Sequence, residues 1–368
     1  MNITKFHFCG LGLIGGSIAK AIRKYYPESI INVYARHPEK VASALSDGTA
    51  NRITDRLSDI DPDTDVLFLC APTGANIENM KAIKPFLTEH EKMLITDVGS
   101  VKGDICRAAA DLGLSSHFLG GHPMTGKETT GYDNSDPTLL ENAYYILTPT
   151  EDTSKNLVAD FTEIISSIRA IPLAESPDYH DFATAAISHV PHLIAAALVK
   201  NVADSDNEAQ FMRTIAAGGF KDITRIDSSD PDTWENICRS NTENIRVLLR
   251  RYIDELERID DTLECGDFKN INELFRESGT YRNSMPEKAK GALPPIYRIF
   301  VDIPDESGAI AGIATLLAAH NISIKNTGIN NNREQYEGAL YIEFYTAEAK
   351  ALALPLLNNA GYHVTAEQ

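Results

Sequence analysis

Histidine, arginine and serine, the residue types that can move a proton or anchor a carboxylate, stand in this chain at glycine-rich breaks. In "HFLGGHPMTGKETTG", His117 to Gly131, His122 falls between a Gly-Gly pair and a proline, on what reads as a constrained turn leaving a strand. A neutral imidazole there can take a proton from a hydroxyl, the general-base role suited to a pKa of about 6.5. The same ring could equally fix the turn through backbone bonds. "DVGSVKG", Asp97 to Gly103, follows a strand and opens a helix, which offers Ser100 either as a hydrogen-bonding partner for a catalytic group or as an ordinary helix N-cap. "AAGGFKDITRI" places Arg225 after a glycine-permitted bend, where its planar fork suits a carboxylate or an ion pair with one of the many acidic residues. In "ISHVPHLIAAAL", His189 and His192 are one helical turn apart, but no third ligand of the H-E-x-x-H kind is in view, so no metal is expected.

The elements that must carry these residues come from the hydrophobic pattern. "FCGLGLIGGS" has Gly10, Gly12 and Gly15 in G-x-G-x-x-G spacing, directly after a strand and opening a helix from about Ile14. The first glycine permits a tight turn, the second lets backbone approach a pyrophosphate, and the third lets helix and strand pack closely. With Leu11, Leu13 and Ile14 between them, and Ala71 and Pro72 after the strand "DVLFLC", these are the expected dinucleotide contacts. The second strand ends at Ala35 and is followed by Arg36, where an NAD-binding chain typically has an acidic residue. Arg36 suits a 2′-phosphate or stands solvated, so NAD and NADP both remain open.

Strand and helix signals alternate as far as about Pro172, which implies a mostly parallel sheet covered by helices. The fold class expected is therefore α/β, with a Rossmann dinucleotide-binding domain over residues 1–172. Residues 173–282 read as helical throughout, the kind of half that walls a cleft and pairs subunits. Residues 283–296 read as a linker, and 297–368 follow the βαββαβ ferredoxin-like plan.

A formal charge of −18 over 368 residues and an isoelectric point of about 5.0 argue against nucleic acid or an anionic membrane as partner. Five scattered cysteines without a Cys-x-x-Cys pair fit reduced thiols in a cytoplasmic protein. The apolar N-terminus reads as folded structure, not a signal peptide. The most apolar segment, "ATAAISHVPHLIAAALV", is broken by two histidines and a proline, so no membrane span is expected.

Taken together, "GLGLIGGS", "DVGSVKG", "GGHPMTGKETTG", "SHVPH" and "GGFKDITRI" resemble the prephenate dehydrogenase family in order and spacing over roughly residues 5 to 280, and 297–368 is similar to an ACT regulatory domain. The resemblance implies oxidative decarboxylation of prephenate: hydride leaves the hydroxyl-bearing ring carbon for nicotinamide, and the new carbonyl is the electron sink for loss of CO2. It implies that His122 takes the ring hydroxyl proton, that Ser100 orients His122 and the substrate, and that Arg225 holds a substrate carboxylate, with His192 and the backbone near Gly218 completing the pocket. Glu128 matches a position that tunes or gates the arginine. Trp234 matches one contributed by the partner subunit, so a homodimer is implied. Lys127 stands at a position the family varies, where a second cation beside a dianionic substrate is electrostatically sensible. The ACT likeness implies feedback inhibition by tyrosine, with Asp305, Gly308 and Asn326 where such effectors are held. Arogenate, with an amino group in place of the side-chain keto group, is the alternative substrate, and a non-catalytic amino-acid sensor is the alternative of another class.

Overall fold

Apolar runs too short to make helices form the strands of the sheet that occupies the first part of the chain. In the computed structural model, residues 3–61, 63–87, 93–127, 129–227, 230–285, 297–304, 306, 308–331 and 337–366 are described. The chain divides into two units, Met1–Gly291 and Ala292–Gln368, at a point inside the stretch expected to be a linker.

In the first unit β1 (Lys5–Cys9) leads into α1 (Leu13–Tyr25), then β2 (Ile30–Tyr34), a 3-10 turn, α2 (Ser43–Ser46) and β3 (Arg52–Thr54). Next come β4 (Val66–Leu69), α3 (Thr73–Leu87), β5 (Leu94–Asp97) and α4 (Gly103–Asp111). The sheet is completed by β6 (Phe118–Pro123), β7 (Tyr144–Thr148), α5 (Lys155–Ser167) and β8 (Ile171–Ala174). Its eight strands run in the order β3-β2-β1-β4-β5-β6-β7-β8. Every pairing is parallel except β6 with β7. The central strands are buried on both faces, which is why they read as continuous apolar runs. Phe8 and Phe68 stack across β1 and β4 with ring centres 4.8 Å apart.

Several local expectations are corrected. β3 has three residues, too few to show a period, and was not anticipated. The helix expected after Pro38 is broken into a 3-10 turn (Pro38–Val41) and the single turn α2. α3 begins at Thr73, not Asn76, because the Asn76 amide donates to the carbonyls of Leu69 (3.1 Å) and Ala71 (2.7 Å) and seats the helix against the end of β4. β8 reaches Ala174, past the boundary expected at 172, because β7 offers it an edge to pair with.

Beyond the sheet the chain is helical: α6 (Pro177–Thr184), a π-helical segment (Ala185–His189), α7 (Val190–Ser205), α8 (Phe211–Ile215) and α9 (Gly218–Thr224). A 3-10 turn (Arg225–Asp227), α10 (Pro231–Ser240), α11 (Thr242–Glu264) and α12 (Phe268–Ser284) follow. Residues Pro177–Ser205 form one helical rod of 29 residues, long and apolar enough by length and composition alone to cross a bilayer. Its buried His180, Asp181 and His189 are hydrogen-bonded to other elements of the unit, as in a helix packed on a protein core.

The second unit contains β9 (Tyr297–Pro304), α13 (Ala309–Ala319), β10 (Ile324–Asn331), β11 (Glu337–Phe344), α14 (Ala347–Asn359) and β12 (Val364–Ala366). Its antiparallel sheet runs β10-β11-β9-β12, the ferredoxin-like order.

Close packing against neighbouring strands and side chains, not turn geometry, explains the Gly-Gly pair before His122. A β-carbon on Gly121 would stand 2.7 Å from the Asp97 carbonyl oxygen and 2.9 Å from the Tyr145 ring. Gly121→Ala is therefore expected to lower unfolding stability by about 1–3 kcal/mol in urea titration. Gly12→Ala, whose β-carbon would meet nothing within 4 Å, should leave the midpoint near the parent's. Equal midpoints for the two variants would refute the packing account.

Candidate active site

In an open parallel sheet the strands on either side of the point where their order reverses diverge at their carboxyl ends, leaving a crevice. Here that point lies between β1 and β4, and a cavity of about 640 Å3 opens over the ends of β1, β4, β5 and β6. Gly12, Leu13, Ile14 and Gly15 border it from the first turn of α1, Ala71 and Pro72 from the end of β4, Ser100 from the loop after β5, and His122 and Lys127 from β6 and the segment beyond. Gly10 adopts φ +91°, the left-handed turn that favours glycine, and a β-carbon on Gly15 would stand 2.9 Å from Cys70 Cβ. The space beside Gly12 is open, and no side chain caps the N-terminus of α1. An uncapped helix start and a glycine with free space beside it are what a dinucleotide pyrophosphate requires, so the residues present fit that group. Leu11 is buried beneath the loop.

His122 belongs to β6, paired with Ile146 of β7, and is not on a turn as the sequence suggested. His122 borders the cavity, and its Nδ1 lies 2.8 Å from His180 Nε2 on α6. His180 Nδ1 in turn lies 2.8 Å from Asp181 Oδ1. The two oxygens of Asp181 accept the backbone N–H groups of Lys102 and Gly103, each at 2.7 Å, so this carboxylate caps α4 from another helix. Asn241, at the start of α11, donates to the Asp181 carbonyl oxygen at 2.8 Å and meets His189 Nδ1 at 3.1 Å. Burial above all, then the neighbouring His180, Lys102 and His189, holds the His122 imidazole well below its usual pKa of 6.5. Burial likewise pushes His189 down to about 4.

Sequence reasoning singled out Ser100 in "DVGSVKG" and passed over the ends of that motif. Asp97 and Lys102 form an ion pair with side chains 1% and 0% exposed. The Lys102 ammonium also donates to the Gly121 carbonyl oxygen at 2.8 Å, and Asp97 accepts from the N–H groups of Gly99 (2.9 Å) and Gly121 (3.2 Å). Ser100 shares the cavity wall with His122, while the hydrogen bond His122 makes is to His180. His180 and Asp181 were also missed; the adjacent His-Asp pair near the start of the 29-residue helical rod was the available signal. Thr233, Asn236 and Ile237 of α10 close the cavity from the helical side.

Other expected residues lie elsewhere. Arg36 is exposed beyond β2 and is not among the residues bordering the cavity. His192 stacks on Trp234 of the same chain at 3.8 Å between ring centres, and both line a separate hollow of about 200 Å3 with Asp227 and Pro231. Arg225, in its 3-10 turn, and Gly218, the first residue of α9, are exposed and do not border the main cavity. Glu128 and Asp305 lie outside the described residues. In the second unit Gly308, at φ +98°, precedes the first turn of α13, and Asn326 Oδ1 on β10 accepts from the Thr327 N–H at 2.9 Å.

Two family models match the chain: "Prephenate dehydrogenase, nucleotide-binding domain" over residues 18–171 and "Prephenate dehydrogenase, dimerization domain" over residues 176–277. The prephenate dehydrogenase of Bacillus subtilis is 36% identical over 345 residues, covering 94% of this chain and 93% of that one. That of Lactococcus lactis subsp. cremoris is 33% identical over 364 residues, covering 97% and 98%. Among solved structures, prephenate dehydrogenase from Aquifex aeolicus in complex with hydroxyphenyl propionate and NAD+ superposes with a TM-score of 0.73 at 28% identity, covering 78% of this chain and 99% of that one.

Removing the Lys102 ammonium would leave Asp97 charged and buried without its partner. Lys102→Met is expected to cost about 3–5 kcal/mol of stability, read from the urea midpoint. Adding Asp97→Asn should recover part of that loss. A double variant no more stable than Lys102→Met alone would show that the cost is one of shape, not of charge.

Proposed function

The chain belongs to the prephenate dehydrogenase family, and from that premise we propose which of its residues carry out the oxidative decarboxylation of prephenate to 4-hydroxyphenylpyruvate. The enzyme is an NAD-dependent oxidoreductase of tyrosine biosynthesis. The observation that carries the residue assignment is the single cavity shared by the open glycine loop and the His122 ring. His122 takes the proton of the ring hydroxyl as the new carbonyl forms. NAD+ supplies the acceptor for the hydrogen and electron pair leaving that ring carbon. The bond from the ring to its carboxylate then breaks, its electrons pass toward the carbonyl, CO2 departs and the ring becomes aromatic. A base near neutrality has to be uncharged, and the downward pull of burial on His122 favours that form. Ser100, which lines the same cavity as His122, binds the same hydroxyl, and Lys127 offers an ammonium to a substrate carboxylate.

Residues 173–282 act as the substrate and dimerisation domain, following the sheet domain of residues 1–172. Arg225, Gly218, His192 and Trp234, set off the main cavity within one chain, complete the substrate pocket in a homodimer, with Glu128 modulating Arg225. Residues 297–368, reached through the linker 283–296, form an ACT domain that binds tyrosine at Asp305, Gly308 and Asn326 and lowers activity. Arg36, exposed where β2 ends, allows NADP+ as well as NAD+. The cysteines, all free thiols, suit the cytoplasm.

His122→Asn should lower kcat by about 10²–10⁴-fold with substrate binding largely kept, measured as reduced nicotinamide formed from prephenate. A rate equal to the parent's would remove His122 from the mechanism. In the parent the rate should fall as pH drops, because protonation removes the base. Tyrosine should suppress turnover of the full chain, and Asn326→Ala should weaken that suppression; indifference to tyrosine would sink the regulatory assignment. Arg36→Ala should reduce kcat/KM for NADP+ by about tenfold while sparing NAD+; an equal effect on both would exclude a 2′-phosphate contact.

A further inference from the structure

We infer that His122, His180 and Asp181 form a proton relay, in which His122 passes its Nδ1 proton to His180 as it takes the substrate proton at Nε2, leaving His180 as an imidazolium on the Asp181 carboxylate. The inference rests on His122 being the base, as proposed above. His122 is then the catalytic residue, and His180 and Asp181 are positioning residues that act through it.

The proton positions follow from who can donate to whom. Asp181 receives two backbone N–H groups, at 2.7 Å each, and faces His180 Nδ1 at 2.8 Å. A carboxylate in such company is an acceptor, so His180 Nδ1 carries the proton. A neutral His180 then has its lone pair on Nε2. That atom is 2.8 Å from His122 Nδ1, which must be the donor. The one nitrogen of His122 left to meet a substrate is Nε2, and it is bare. Two hydrogen bonds thus fix both tautomers and aim the lone pair of the base.

The same geometry says where the proton comes to rest. Burial above all opposes a charge on His122, and the neighbouring His180, Lys102 and His189 add to that. Asp97 is already paired with Lys102, so among the described residues the carboxylate bonded to this pair of rings is that of Asp181. A cation on His180, whose side chain is 1% exposed, is directly paired; a cation on His122 is one ring further away. Transfer of one proton into Nε2 and one out of Nδ1 balances on His122, and the rings together gain a single proton.

The test separates aim from relay. In His180→Gln the amide oxygen can accept from His122 Nδ1 and the amide nitrogen can donate to Asp181, so the aim is kept, but the side chain cannot take a proton. The relay predicts that kcat falls by about tenfold or more on the pH plateau with KM little changed. Parent-like kcat in His180→Gln would overturn the relay and leave His180 as an orienting group only. Loss of turnover in His180→Gln together with full turnover in His122→Asn would instead reject the base assignment itself. A readout without turnover is 15N spectroscopy of the histidine rings in the parent enzyme. Protonated Nδ1 on both His122 and His180 is the expected result, and protonated Nε2 on His122 would refute the scheme.

Discussion

A lysine ammonium with no solvent exposure is the constraint around which the site is organised. Bringing such a charge out of water costs several kcal/mol unless its partners are in place. Lys102 finds them in Asp97 at the end of β5 and in the Gly121 carbonyl oxygen of β6, while its own backbone N–H is held by Asp181 of α6. Four elements therefore meet at one residue, and the residue after Gly121 is His122. His122 is positioned by backbone that cannot shift without unpairing a buried charge, which is the kind of rigidity a reacting geometry needs. The glycines at 120 and 121 follow from the same crowding, since a β-carbon at 120 would stand 2.2 Å from Thr148 Oγ1.

The rod from Pro177 to Ser205 solves a problem of phase. His180 and His189 are nine residues apart, which at about 100° per residue would place them on opposite faces of a regular helix. Both are buried, at 3% and 1% exposure, and the π-helical segment Ala185–His189 lies between them. Its wider turn advances the chain by a smaller angle per residue, and the two rings come closer to a common side. His180 thereby reaches His122 of β6 while His189 reaches Asn241 at the start of α11, so one helix links the sheet to the helical half.

Net charge and local chemistry diverge in this molecule. The chain carries −18 overall, yet the cavity is bordered by the uncapped start of α1, which fits a pyrophosphate, and by Lys127, whose ammonium lies 3.5 Å from Asp136. At physiological ionic strength exposed charges more than about 8 Å away are largely screened, so the pocket answers to its own dipoles and cations before it answers to the surface.

Spacing alone made much of this protein legible. The glycine fingerprint after β1, the alternation that yields a parallel sheet, and the βαββαβ order of the last seventy or so residues are one-dimensional signals, because they arise from backbone periods and turn sterics within a few residues. The placement of Gly12 to Gly15 with His122 on one cavity was likewise foreseeable, since strand ends of an open α/β sheet meet at the point where strand order reverses. What the sequence did not yield is everything that depends on pairs far apart in the chain: Asp97 holding Lys102 beneath His122, and Asp181 reaching seventy-nine positions back to cap α4. Nor did it show that Trp234 and His192 stack on each other away from the main cavity, or that His122 lies within β6 and not on a turn after it. An aspartate or lysine in a sequence looks the same whether it is solvated or buried, and only packing decides which, because the cost of burying a charge exists only once water has been removed and its partner has been brought within reach.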